Sequence, residues 1–262
     1  MKAKYLFVLS LFIGLASCSE NKGNKTGSDN IDLESAIKNA EDRRKIDPNA
    51  SGDNQCLLDY QSKYDQLLSE DNVITVTGFS KDVMETESST VLKNPEYHSF
   101  EYKFNNGRMR NVPLLGRDLQ IPDVVSVKSI KAISLAEFES TYRAISDEEM
   151  EVAKDALIDA AEGKSGEAEA NEAVKKAEEL NLSKEQVKDI GGGIMDAIKE
   201  VSKGYRIIEN LGDAARWNLV SYEIYVLQNG VQFVILCDVS DDNEKNRSVA
   251  IDLAKIILNK CQ

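Results

Sequence analysis

The chain has 262 residues, 42% of them hydrophobic, enough to build one or two ordinary domains with their own cores. Its formal charge of −13 repels phosphate backbones and argues against nucleic acid as a partner. One histidine, His98, excludes zinc sites of the three-histidine or His-Glu-x-x-His type.

Met1-Lys2-Ala3-Lys4 is a short basic start, and Tyr5 to Ala16 is an apolar run interrupted by Ser10 and Gly14. The run is shorter than the roughly 20 residues a transmembrane helix needs and fits a secretory signal over residues 1–17. Leu15-Ala16-Ser17-Cys18 resembles the lipobox of bacterial lipoproteins. That resemblance implies that Cys18 becomes the lipidated first residue of the mature chain, with the membrane as its partner through acyl chains rather than a spanning helix. Ser19 follows the cysteine where an Asp would otherwise signal retention, which by the same resemblance implies the outer membrane. Cleavage would leave an even more acidic chain.

Three further cysteines, Cys56, Cys237 and Cys261, allow three single pairings in an exported protein. Cys237 shares one strand face with Val231, Phe233 and Ile235, a core position where a thiol behaves as a small hydrophobe. That leaves Cys56 with Cys261 as the expected disulfide, a staple between the ends of the folded part.

Residues 18–54 read as a lipid-anchored tether with one short helix. Ser19 to Asn30 is polar and rich in Asn, Lys, Gly and Ser, and Ile31 to Ile46 carries apolar residues at helical spacing. Cys56 to Leu68 is helix-like through the stripe Leu57, Tyr60, Tyr64, Leu67 and Leu68. Asn72 to Gly78 is ambiguous: its β-branched run favours a strand, its Ser69 start and Gly78 end favour a helix. Phe100, Tyr102 and Phe104 alternate along a half-buried strand that ends in an Asn106-Gly107 hairpin signal. Pro113 and Pro122 bracket a loop, and Val124 to Ile133 is a second strand.

From Ser134 to Lys203 the composition turns to Ala, Glu and Lys without proline. Capping boxes at Ser134/Glu137, Ser146/Glu149 and Ser183/Gln186 predict helices at Leu135–Ala144, Asp147–Glu162, Glu167–Leu180 and Lys184–Ser202, a helical insert over about 134–203. Gly191-Gly192-Gly193 inside the last of these predicts a kink or a close helix contact. A short strand at Tyr205 follows, then Glu209–Asn218 as a corner with Trp217 as a packing anchor. Two apolar runs joined by Asn229-Gly230 make the strongest hairpin signal in the chain. An amphipathic helix with Val249, Ala250, Leu253, Ala254 and Ile257 on one stripe closes the sequence.

No motif carries a reaction. His98 adjoins a strand, where an edge or surface role is expected, and no Gly-x-Ser-x-Gly elbow accompanies it. The triple glycine follows no strand and lacks the Lys-Ser/Thr of a phosphate loop. Asp238, Ser240 and Asp242 alternate as in a calcium loop, but Asn243 stands at its sixth position and Val249 at its twelfth, so a helix cap from Asp241 or Asp242 is the better reading. No catalytic residue, metal ligand or cofactor is therefore expected.

Leu211-Gly212-Asp213-Ala214-Ala215-Arg216-Trp217, followed by strand, Asn-Gly turn, strand and helix, resembles the G-(I/L)-G-D-x-A-x-W signature of small bacterial envelope lipoproteins of unknown function. Cys56-Leu57-Leu58, Val76-Thr77-Gly78 and an aromatic strand before Asn106-Gly107-Arg108 resemble the amino-terminal half of that pattern. The resemblance spans roughly residues 55–262 and implies an α+β fold, an antiparallel sheet packed by helices in a PsbP-like sandwich, with the helical insert as a departure. It favours the helical reading of residues 70–78 and implies no activity. The expected function is accordingly non-enzymatic binding at the cell envelope, of a protein partner facing the 146–203 insert. The competing expectation is a small-ligand carrier with an apolar pocket between sheet and helices lined by Phe100, Tyr102, Trp217 and Tyr225.

Overall fold

The computed structural model describes residues 50–90, 92–112, 116–162, 164, 175 and 183–261. The leader, Cys18, the expected helix over 31–46 and the expected helix Glu167–Leu180 lie outside the described residues. The chain divides into two compact units, one of sheet and helices (to Glu139 and from Tyr205 on) and one of helices (Ser140–Gly204).

The sheet unit is α+β. Seven strands form one antiparallel sheet: β1 (Met84–Ser89), β2 (Ser99–Phe104), β5 (Asp123–Ala132), β6 (Tyr205–Ile207), β7 (Ala214–Asn218), β8 (Glu223–Gln228) and β9 (Val231–Asp238). Their spatial order is β1-β2-β5-β9-β8-β7-β6. The remaining strands, β3 (Met109–Val112) and β4 (Arg117–Gln120), pair only with each other. The helices are α1 (Gln55–Asp59), α2 (Tyr64–Leu67), α3 (Glu70–Thr77), α4 (Leu135–Thr141), α5 (Asp147–Ala161), α6 (Lys184–Ser202) and α7 (Asn243–Lys260).

Strand register sorts side chains by face, because successive residues point to opposite sides. Phe100, Val127, Ile235, Ile224 and Trp217 line up across five strands on one face. Against this face lies α7, whose Leu253, Ala254 and Ile257 are fully buried. Burying each such aliphatic side chain contributes about 1.5–3 kcal/mol. Trp217 has no exposed surface and its indole N–H donates to Asn243 Oδ1 at 2.8 Å, tying β7 to the first turn of α7. Asp242 caps that helix by accepting from Glu244 N, so the Asp238–Asp242 run serves the helix start.

The β8–β9 turn is the predicted Asn229-Gly230, with φ of 49° and 69°, the left-handed pair that matches strand twist. It is also a docking point: Gly52 N donates to Gly230 O at 2.7 Å and Asn54 N to Asn229 O at 3.0 Å. A Cβ on Gly230 would stand 2.6 Å from Ser51 Cα. Folded chain therefore begins before residue 55, and residues 51–54 belong to the domain rather than to the tether. Cys56 and Cys261 are joined by a disulfide with Cα atoms 5.4 Å apart, while Cys237 is a buried free thiol.

Several expected elements differ. The helix over 56–68 is two short helices, because Ser62 adopts φ 63° and turns the chain between them. Residues 70–77 are helical, with a Ser69/Asn72 capping box at the start. Asn106-Gly107 does not fold β2 back on itself; the chain leaves the sheet there into β3, and the expected loop between Pro113 and Pro122 holds its partner β4. Ala214–Asn218, expected as a corner, is strand β7, and β1 was not expected at all. Gly191–Gly193 lie in the continuous helix α6; a Cβ on Gly192 or Gly193 would meet nothing within 4 Å among the described residues. The insert also starts later than residue 134: Leu135, Phe138 and Glu139 are buried and group with the sheet unit.

The helical unit contains α5 and α6. Its described core is the Met150–Met195 cluster, with Ile145 and Ala153 packed on it. Ion pairs run between the helices, Lys154 with Asp196 at 2.6 Å and Lys199 with Asp147.

Candidate functional site

A cleft of about 260 Å³ opens in the sheet unit where the α1–α2 turn meets the start of β2. Ser62, Tyr64, Asp65, Ser88, Thr90, His98, Ser99 and Phe100 line it. Three local structures build it. The Pro95–Tyr97 turn, capped by Asn94, delivers His98 as the residue before β2. The Tyr60–Lys63 turn, closed by Lys63 N donating to Tyr60 O at 2.8 Å, holds Ser62 at its third position. A bulge in β5 shifts its register against β9 between Lys128 and Lys131, with Ser129 at φ 55°. The bulge leaves the Ile130 backbone free to serve the turn: Gln61 Nε2 donates to Ile130 O at 2.7 Å, and Ile130 N donates to Tyr64 Oη at 3.4 Å. Tyr64 Oη in turn donates to Pro95 O at 3.2 Å.

At the floor of the cleft, Ser62 Oγ lies 2.8 Å from His98 Nδ1, and His98 Nε2 lies 2.6 Å from Leu92 O. A carbonyl only accepts, so Nε2 carries a proton and donates to it. In the neutral imidazole Nδ1 is then a lone pair, and Ser62 Oγ–H donates to it. His98 is 9% exposed, which corrects its expected edge or surface role. Sequence reading missed this pair: the partners are 36 residues apart, and the bulge that brings them together carries no sequence signal.

The four aromatics expected around one pocket do not share one: Phe100 and Tyr102 meet edge-on, ring centroids 5.1 Å apart, but they do not enclose a cavity with Trp217 and Tyr225. Phe100 alone lines the cleft. Tyr102 and Trp217 have no exposed surface and belong to the core, Tyr102 with its hydroxyl donating to Leu68 O. Tyr225 lies on the opposite face, in the row Lys128, Val234, Tyr225, Arg216. The physical reason is the period of two: Phe100, Tyr102 and Trp217 share a face through their register, and Tyr225 falls one residue out of step with Ile224.

That opposite face carries charge. Arg216, 6% exposed, pairs with Glu139 of α4, and burial pushes the Glu139 carboxyl up against the opposing pull of Arg216. Glu223 accepts from the Tyr225 hydroxyl and pairs with Lys128. Tyr205 stacks edge-on against Tyr225, ring centroids 5.7 Å apart, and burial raises its hydroxyl. A second ionic cluster fastens β3 to the sheet end: Arg108 reaches Asp123 at 2.5 Å and Asp238 at 2.9 Å, and Arg110 reaches Asp238 at 2.7 Å. Both clusters tie elements of the fold together.

Gly212-Asp213, the centre of the signature stretch, is a structural corner. A Cβ on Gly212 would stand 2.4 Å from Leu227 O, and Asp213 Oδ2 accepts from Asn229 N at 2.5 Å. It braces the β8–β9 turn from the side.

No protein-family description, curated protein or solved structure matches the chain.

Proposed function

We propose that the protein is a lipid-anchored cell-envelope protein, held at the outer membrane through Cys18, that acts by binding a protein partner. The Cys56–Cys261 disulfide carries this reading. Such bonds persist in exported proteins and are rare in a reducing cytosol, and a chain led by Leu-Ala-Ser-Cys is bound for the former. A PsbP-like sandwich is the fold that the Gly212–Trp217 stretch leads one to expect, and a helix-packed antiparallel sheet is consistent with it. The filled interior between sheet and α7, where Tyr102 and Trp217 have no exposed surface, favours surface recognition over a ligand carried inside. The 146–203 segment is the partner-facing element in this reading: α5 leaves Val152 67% and Ile158 40% exposed.

Capture of partners from the envelope by the full chain and by a chain lacking residues 146–203 tests the proposal. The full chain should retain a partner that the deletion loses; an unchanged set of partners would remove the insert from the account. Cys18→Ala should move the protein out of the membrane fraction, and retention there would end the anchor.

A further inference from the structure

We propose that Ser62 is a nucleophile, with His98 as its general base, that accepts acyl groups from small carboxylic esters entering the cleft. The inference goes beyond the binding reading and does not rest on it. A weak serine nucleophile becomes competent when a base lies within hydrogen-bond reach and a third group orients that base. Both conditions are met. Ser62 Oγ is 2.8 Å from His98 Nδ1, and the Leu92 carbonyl, 2.6 Å from Nε2, holds the imidazole in the tautomer that leaves Nδ1 open to the serine proton. The carbonyl is a positioning group; Ser62 and His98 are the groups that meet substrate.

The surroundings fit the role. Ser62 is exposed while His98 is buried behind it, so the hydroxyl is the reachable member of the pair. Ser62 holds a left-handed backbone at φ 63°, a conformation a serine keeps only when its surroundings impose it. Gln61 and Tyr64, on either side, are pinned to Ile130. Ser88, Thr90 and Ser99 supply hydroxyls to the walls and Phe100 an apolar one. A volume of about 260 Å³ is below the usual range for drug-sized ligands and admits a short acyl chain.

The chemistry closes. Ser62 Oγ bonds to the ester carbonyl carbon while its proton passes to His98 Nδ1. The carbon–alkoxy bond breaks, and the departing alkoxide takes that proton and leaves as the alcohol. Water, giving its proton to His98, then attacks the acyl-serine, and the acid leaves as Ser62 regains its hydrogen.

The test uses the full chain with its disulfide intact and a fluorophosphonate probe, whose P–F bond breaks and releases fluoride as the Ser62 Oγ–P bond forms. Peptide mapping should find one adduct, on Ser62. Ser62→Ala should lose it while still melting cooperatively, at a temperature lowered only by the lost hydrogen bond to His98. His98→Gln should label roughly 100-fold or more slowly, the usual scale of general-base assistance, and p-nitrophenyl acetate hydrolysis should follow the same order. Labelling of the parent in urea should be lost, which keeps the test decisive if His98→Gln fails to fold. An unlabelled Ser62 in the folded chain, an adduct on another hydroxyl, or Ser62 labelling unaffected by His98→Gln or by unfolding would overturn the proposal.

Discussion

The two units of the chain are held in different ways. The sheet unit is cross-linked, and its core runs continuously from Leu57 through Trp217 and Phe233 to Leu258. The helical unit has a described core of two methionines, and its helices meet through ion pairs such as Lys154–Asp196. Apolar burial is non-directional and summed over many contacts, while exposed ion pairs contribute about 0–1 kcal/mol each. The first unit thus rests on summed apolar burial and a cross-link, and the second, in its described part, more on exposed ion pairs.

Four perturbations sharpen that contrast. The largest effect is expected from Trp217→Ala, which leaves a cavity at a fully buried site and strands Asn243; a loss of about 3–5 kcal/mol in urea denaturation is predicted. Removing the disulfide by Cys56→Ala with Cys261→Ala should cost the sheet unit about 2–5 kcal/mol, since it opens a loop of 205 residues. Helicity of the helical unit should be untouched in both variants, read by hydrogen exchange on α5 and α6.

The smallest effects are predicted to have opposite signs in the two units. Burial raises the Glu139 carboxyl, so the folded sheet unit holds that proton more tightly than the unfolded chain. Its contribution is full below the ordinary carboxylate value and is lost as pH rises through the raised one. In the helical unit, the hydrogen bond from Arg143 holds Glu149 down to about 2. That contribution is full above the ordinary carboxylate value and is lost as pH falls toward about 2. Fluorescence of Trp217, the one tryptophan of the chain, reports the sheet unit alone. Glu139→Gln should flatten its loss of stability with rising pH. Glu149→Gln should reduce the acid limb of α5 and α6, with Asp147, Glu162 and Asp196, each lowered by a lysine, carrying the remainder, and added salt should weaken that limb more than the Glu139 effect, because exposed pairs are screened.

Sequence legibility followed the same division between local and long-range causes. The Asn229-Gly230 turn, the α7 stripe and the 147–161 and 184–202 helices were legible because their signals sit within a few residues of one another. β1 was not, because Met84–Ser89 is an edge strand whose Glu85 and Glu87 face solvent, and no apolar alternation marks it. β7 reads as a corner in sequence because Ala214, Arg216 and Asn218 lack strand preference; its neighbours β6 and β8 make it a strand. The stripe over residues 57–68 concealed the turn at Ser62, since the apolar spacing survives a break that only tertiary bonds to Ile130 explain. The Ser62–His98 pair is hidden for the same reason.

Hydrogen exchange measured residue by residue on the intact, oxidised chain tests the central contrast most directly. Amides of β8, β9 and α7 should open only with global unfolding, while those of α5 and α6 exchange through local opening at far lower free energy. Equal protection in both regions would contradict the account, making the helical unit as firmly held as the sheet.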